Sequence, residues 1–342
     1  MPKNDNRTSI IAAYFIIVGF ETLREVELFL FSLFSTMYVF TISSHFMIVT
    51  LVSVDHHLHK PMYILLANFS MLEVLYTTVT VPKMLNALLT HHKEISSSSC
   101  LAQFYFLFGF GGAENCLLAV MAYDRYVAIC RPLHYPNLMS GKTILKLALG
   151  AWVGGLLAAF PPTVWISTLR FCFPNFIDHF FCDYAPLLKL SCEDTSKVLI
   201  FTEGSLVALV PSLLTILSYI RITISILRIH SSSGRQKAFS TCGSHLAVFF
   251  LFSASAVSMY FKPSSASSPQ KGKFVTLMYT ALTPMFNPYI YCLRNSDVKT
   301  AVGNCCTIRT KVGRTPNNMF VEKYFVFVNS KISRLFNRIY TI

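Results

Sequence analysis

The sequence predicts an all-α membrane protein: a bundle of seven transmembrane helices, with the N-terminus outside and the C-terminus inside. Three observations lead there. Of 342 residues only 13% are charged and 53% are apolar, against about 25% charged in soluble domains. Seven segments stay apolar over the roughly 20 residues a helix needs to cross a bilayer. Basic residues gather in alternate connections between those segments. The long runs lack strict alternation, which argues against a barrel of short strands, and no internal repeat is evident.

The elements follow in order. Residues 1–27 form an extracellular N-terminal segment. Its apolar run at 10–20 is too short to span, and no clear small-residue cleavage site follows, so it reads as an uncleaved segment rather than a signal-peptide core. Asn6-Arg7-Thr8 is a glycosylation acceptor if this end is extracellular. The bundle occupies 28–293, with spans at 28–53, 61–85, 100–129, 142–165, 198–227, 237–261 and 273–293. Several are interrupted by Gly, Pro or Ser, which neighbouring helices can accommodate. Pro288 in the seventh removes a backbone donor and allows a kink. Residues 294–342 form a cytoplasmic segment ending in an atypical basic tail.

Orientation comes from loop charge. Lys60, Arg131, Arg228 and Arg235 follow spans 1, 3 and 5, Arg294 and Lys299 follow span 7, and the only acids among them are Asp55 and Asp297. Lys262, Lys271 and Lys273 sit on the opposite side, so the bias is modest. The net charge of +13 would also suit nucleic acid, but its distribution argues otherwise. From Ala301 onward seven basic residues face one acid, and a basic tail beside a span meets anionic membrane lipid. The outer cysteines Cys100, Cys172, Cys182 and Cys192 lie where disulfides persist. They allow three pairings, among which spacing does not choose. His179 and Cys182 could recruit a soft metal, but Cys182 cannot be both thiolate ligand and disulfide partner.

Three features carry chemistry. Asp124 and Arg125 stand side by side at the end of span 3, where an ion pair is costly to build and to break, as suits a two-state lock. Two carboxylates, Glu73 and Glu114, lie inside the membrane, at a cost of about 2.5–3.5 kcal/mol each unless paired or hydrated. Ser70, Asn115 and Asn287 are their expected partners. They can share Na⁺, or share one proton in a hydrogen-bonded pair without metal. His45 in span 1 is placed to face Glu73, either charged or as a neutral hydrogen-bonded ring.

The motifs, in register with the spans, resemble the odorant receptors within the rhodopsin-like G-protein-coupled receptors. They are Leu58-His59-Lys60-Pro61-Met62-Tyr63, Val81-Pro82-Lys83-Met84-Leu85, Met121-Ala122-Tyr123-Asp124-Arg125-Tyr126-Val127-Ala128-Ile129-Cys130, Ser218-Tyr219, Lys237-Ala238-Phe239-Ser240-Thr241-Cys242-Gly243-Ser244-His245-Leu246, and Pro284-Met285-Phe286-Asn287-Pro288-Tyr289-Ile290-Tyr291. The resemblance covers about residues 6–297.

This resemblance implies a receptor for small volatile odorants that activates a stimulatory heterotrimeric G protein and raises cyclic AMP at the plasma membrane, with no cofactor required. It implies disulfides Cys100–Cys182 and Cys172–Cys192. It implies a switch in which Arg125 leaves Asp124 for the G protein, with Tyr126, Tyr219, Asn287, Pro288 and Tyr291 taking part. Glu73 and Glu114 match positions that line a sodium pocket in related receptors. The ligand is expected between spans 3, 5, 6 and 7, near Phe104, Leu107, Phe108, Gly111, Gly112, Glu203, Ser253 and Tyr260. Phe104, Leu107, Phe108 and Gly111 share one helical face, and the two glycines leave room for a small guest. Leu107 stands where amine receptors carry aspartate, which argues against an amine ligand.

The chain departs from the family at His45, where asparagine is usual, at Ser44, where glycine is usual, and at Ser253, where tyrosine is usual. After Asp297 a break at 302–306 leads into the unfamiliar tail. There Cys305 and Cys306 are free or palmitoylated, and Val328, Ile332, Leu335, Phe336 and Ile339 recur at helical spacing, either as an interfacial helix or as unselected sequence. Two alternatives stand beside the receptor: a receptor-like chain whose signalling the tail impairs, and a transporter or channel. The second would show inverted halves or paired broken helices, and neither is evident. No intramembrane Gly-x-Ser-x-Gly or His-Glu-x-x-His constellation points to an enzyme.

Overall fold

The computed structural model describes residues 9–10, 13–19, 24–90, 93–172, 174–192, 197–229, 231–260 and 269–294, with 298, 300 and 301. The helices are α1 (Arg24–Val54), α2 (Pro61–Thr90), α3 (Ser97–Cys130), α4 (Tyr135–Leu138), α5 (Gly141–Thr168), α6 (Tyr184–Leu190), α7 (Lys197–Leu227), α8 (Ser232–Tyr260) and α9 (Pro269–Arg294). All but α4 and α6 are long, and each expected span falls on one long helix. Five helices, α1, α2, α3, α5 and α7 from Val207, are long and apolar enough to cross a membrane, and α8 holds the shorter apolar stretch Cys242–Ala254.

Local chemistry sets several helix ends. Ser96 caps α3 by accepting from the Ser99 N–H at 3.2 Å, and Ser140 caps α5 by accepting from the Thr143 N–H at 3.4 Å. The Arg24 guanidinium donates to the carbonyls of Leu88 and Leu89 at 2.9 and 2.8 Å. Those carbonyls lie in the last turn of α2, where intrahelical partners run out. The described part of the first helix begins at Arg24, ahead of the expected boundary at 28, and Arg24 ties it to α2.

The class is mostly helical rather than wholly so. Short strands β1 (Ser9–Ile10), β2 (Tyr14–Ile17), β3 (Glu94–Ser96), β4 (Phe171–Cys172) and β5 (Phe176–Ile177) roof one end of the bundle. β1 pairs antiparallel with β4. β2 lies between β3, antiparallel with Phe15 opposite Ile95, and β5, parallel with Ile16 opposite Phe176. Alternation turns Phe15 and Ile17 inward, 1% and 3% exposed. They join Ile95, Cys100, Phe104, Phe171, Ile177 and Cys182 in one apolar cluster. Within the apolar run at 10–20, Tyr14–Ile17 is thus a strand of the roof. Gly19 follows it, with a φ of +59° that suits glycine and an N–H that donates to the His179 carbonyl at 3.2 Å.

Helix α3 runs through the middle, packed against α2, α5, α7 and α8. Helix α5 is peripheral. Leu145, Leu149, Val153, Leu157, Phe160 and Val164 form an exposed stripe on it, as expected of a face turned to lipid. Its opposite side meets α3 at Gly155, where any Cβ would run into the backbone of Gly109 and Ala113. Glycine there lets the two helices approach closely.

Candidate functional site

At the end of the bundle opposite the strands, the expected ion pair is formed. Arg125 donates to Asp124 Oδ2 from Nη2 at 2.6 Å and from Nε at 3.0 Å. Asp124 is fully buried, so its second oxygen needs a donor as well. Tyr135, from α4, supplies it, with its hydroxyl 2.8 Å from Oδ1. Burial raises the Tyr135 phenol pKa above its ordinary value, and Asp124 adds to the shift. The sequence reading missed Tyr135. The only signal was a tyrosine shortly after span 3, in a loop otherwise read for charge alone.

Tyr219 makes its hydrogen bond elsewhere. Its hydroxyl lies 2.7 Å from His245 Nδ1, joining α7 to α8, with the rings stacked at 5.7 Å. His245 lay inside a quoted motif but carried no assigned role. Tyr126 packs at the edge of the cluster of Ala122, Tyr219, Ile222, Ile226 and Cys242, with Arg131 over its ring. Tyr291 is buried against Phe69, ring centroids 6.2 Å apart. Its hydroxyl has no hydrogen-bond partner among the described residues.

Midway through the bundle lies a buried polar group. Glu73, Glu114 and Asn287 are 2%, 3% and 1% exposed, and the Asn287 amide donates to Glu73 Oε1. Ser70 Oγ, Glu114 Oε1 and Asn287 Oδ1 have no partner among the described residues.

Two expected partners of the carboxylates turn elsewhere, and proline explains both. Pro211 has no N–H, so the carbonyl of Val207, four residues earlier, loses its helical donor. Asn115 donates to Val207 O at 3.2 Å and to Ala208 O at 2.9 Å. Its position next to Glu114 on α3 points it away toward α7. Pro288 likewise orphans the carbonyl of Pro284. His45 Nε2 lies 3.0 Å from that oxygen. A carbonyl only accepts, so Nε2 carries the proton. His45 therefore joins α1 to α9 and does not pair with Glu73.

The expected ligand residues separate into groups. Phe104, 1% exposed, belongs to the roof cluster, and Phe108 stacks on it at 5.9 Å. Leu107 belongs to a second cluster with Phe34, Val81, Met84, Phe180, Phe181 and Leu277. Gly111 looks toward Tyr76, 3.8 Å from where its Cβ would stand. Gly112 departs from the expectation of room for a guest. A Cβ there would stand 3.2 Å from Val207 Cγ1 and 3.4 Å from Gly155 Cα, so it serves helix packing between α3, α5 and α7. Ser253 Oγ is buried without a partner among the described residues. The side chains of Glu203 and Tyr260 lie outside the described residues.

Cys100 and Cys182 form a disulfide, Cα atoms 5.5 Å apart, so Cys182 is not a thiolate for His179. Gln103, also missed, fixes this corner. It donates to Val79 O at 2.8 Å and accepts from the Cys182 N–H at 3.0 Å. Cys192 is disulfide-bonded, and its N–H donates to Arg170 O at 2.9 Å. The side chain of Cys172, together with Asn6 and the tail from Val302, lies outside the described residues.

The sequence is similar to a large set of characterised proteins. The olfactory receptor family profile matches residues 34–308. Olfactory receptor 10A7 of Homo sapiens is 47% identical over 295 residues, covering 86% of this chain and 93% of that protein. Olfactory receptor 11H6 of Homo sapiens is 46% identical, covering 87% and 91%. Olfactory receptor 226 of Rattus norvegicus is 44% identical, covering 84% and 90%.

Proposed function

Because the chain belongs to the olfactory receptor family, multi-pass G-protein-coupled receptors that are not enzymes, we propose that it binds a small volatile odorant within the helix bundle at the plasma membrane and activates a stimulatory heterotrimeric G protein, raising cyclic AMP. In this reading the N-terminus lies outside and the C-terminus inside. The domains are 1–27, 28–293 and 294–342, and Asn6 carries a glycan. The second disulfide is Cys172–Cys192, supported by the bonded state of Cys192 and the pairing of Phe171 with Ser191.

The observation that carries the mechanism is the buried Asp124–Arg125 pair with Tyr135 on its far side. In the resting state Asp124 holds Arg125 at the end of α3. Tyr219 is engaged by His245 and Tyr291 is packed on Phe69. Ligand binding below the roof favours a state in which the inner end of α8 moves away. Arg125 is then released toward the G protein, and Tyr219 and Tyr291 hold the open form. Pro288 lets α9 bend in the same step. The ligand can shift this equilibrium only by its differential affinity for the two states.

The buried oxygens of Glu73, Glu114, Ser70 and Asn287 make an all-oxygen donor set that fits a hard cation such as Na⁺. A bound Na⁺ would offset one of the two carboxylate charges, as a shared proton does otherwise.

The test is cyclic-AMP production in cells displaying the chain, across a panel of volatile compounds. A ligand-dependent rise that disappears in Arg125→Ala with surface display intact is expected. An undiminished response in Arg125→Ala refutes the switch.

A further inference from the structure

We propose that His56 and His59 form a two-histidine site for a divalent zinc ion on the loop between α1 and α2. The site is independent of which odorant binds. The loop Asp55-His56-His57-Leu58-His59 is folded as a 3-10 turn at His56–Leu58. In a 3-10 turn residues three apart eclipse one another, so His56 and His59 stand one above the other. The backbone closes the turn: the Leu58 N–H donates to Asp55 O at 2.9 Å and the His59 N–H to His56 O at 3.1 Å. Leu58, 1% exposed, anchors it to the bundle. Asp55 caps it by accepting from the His57 N–H at 2.9 Å.

The two imidazoles are exposed, with ring centroids 4.8 Å apart and Nδ1 atoms 3.4 Å apart. Two zinc–nitrogen bonds of about 2.0–2.1 Å at the tetrahedral angle place their nitrogens about 3.3–3.4 Å apart. Neighbouring corners of a square plane at similar bond lengths would lie about 2.8–3.0 Å apart, which disfavours copper geometry. A hydrogen bond between the two rings accounts for the pair less well, since 3.4 Å is long for an N–H···N contact.

His57 is not part of the site, because its Nδ1 turns to Asp55 Oδ1 at 3.0 Å. Asp55 adds a negative charge beside His56 in the sequence. Among the described residues no group of three or more His, Cys, Asp or Glu is placed to hold a metal. Water therefore completes the coordination, and the site is exchangeable rather than a four-ligand structural zinc. Helices α1, α2 and α3 alternate in direction, so the loop lies at the same end as Asp124 and Arg125.

The test titrates the purified full-length receptor with Zn²⁺ by calorimetry, alongside His56→Ala/His59→Ala, His59→Gln and His57→Ala. Unfolding midpoints measured without zinc report whether each variant keeps its fold, and His59→Gln serves if the double variant does not. Removing either ligand should weaken zinc binding at one site by about tenfold or more, while His57→Ala keeps it. Unchanged zinc affinity in the His56 and His59 variants overturns the proposal, and so does an equal loss in His57→Ala.

Discussion

Replacing Gly155 with alanine tests a close contact between α3 and α5 with a single methyl group. A Cβ at this position stands 2.5 Å from Gly109 O and 2.8 Å from Ala113 Cα, and against Ala113 N. Carbon atoms in favourable contact lie about 3.5–4.0 Å apart, so the helices must part by roughly 1 Å. The opposing atoms are backbone and cannot rotate aside. A gap of that size forfeits about a quarter to a half of the dispersion energy of each contact it opens, and overpacking costs about 1–3 kcal/mol. We expect a loss of about 2–3 kcal/mol, a fall of roughly 30- to 150-fold in the folded-to-unfolded ratio.

The same substitution at Gly150 or Gly154 is an internal control, since a Cβ at either meets nothing within 4 Å. Alanine is favoured over glycine inside a helix by about 0.5–1 kcal/mol, so those variants should be as stable as the parent or slightly more so. Thermal unfolding of purified receptor, followed by the fluorescence of Trp152 and Trp165, measures all three. A Gly155→Ala variant as stable as the parent, or a Gly150→Ala variant equally damaged, would refute the packing argument.

His45→Leu leaves the Pro284 carbonyl without its donor and should cost about 1–3 kcal/mol. Adding Pro288→Ala restores a backbone N–H to that oxygen, so the double variant should lose less than the two singles together, and strict additivity in thermal unfolding would show that His45 does not serve this carbonyl. Tyr135→Phe removes the donor to Asp124 Oδ1, worth about 0.5–1.5 kcal/mol. Ligand-free cyclic AMP should rise, and an unaltered basal signal at normal surface density would count against Tyr135 as part of the lock. Replacing both Cys100 and Cys182 with serine removes a cross-link across 82 residues of sequence, worth about 4–5 kcal/mol in the chain-entropy model. Surface display should collapse, and normal display would show that the roof holds without it.

Much of the helical frame was legible in the sequence because membrane insertion requires long apolar runs, which can be counted residue by residue. Each expected span falls on one long helix. The roof strands were not legible, because the run containing Phe15 and Ile17 looks apolar in any conformation. Only pairing with β3 and β5 gave it strand geometry. The site divides similarly. Asp124 and Arg125 are adjacent in sequence and their pairing was foreseeable. Tyr135 and His245 act through contacts between elements, and periodicity does not report those.

Glu73 and Glu114 were conspicuous as carboxylates in apolar helices, but the partners assigned to them by proximity were partly wrong. Asn115 and His45 follow a different demand. A proline deprives a carbonyl four residues back, and the nearest donor on another helix answers it. The sequence by itself determined which backbone groups would be orphaned, at Val207 and Pro284, since proline lacks an N–H wherever it occurs. Only the tertiary structure decided which side chains would satisfy them, and with that the direction in which His45 and Asn115 point. A donor's reach is a distance of about 3 Å, and such distances are set by helix rotation and packing rather than by order along the chain.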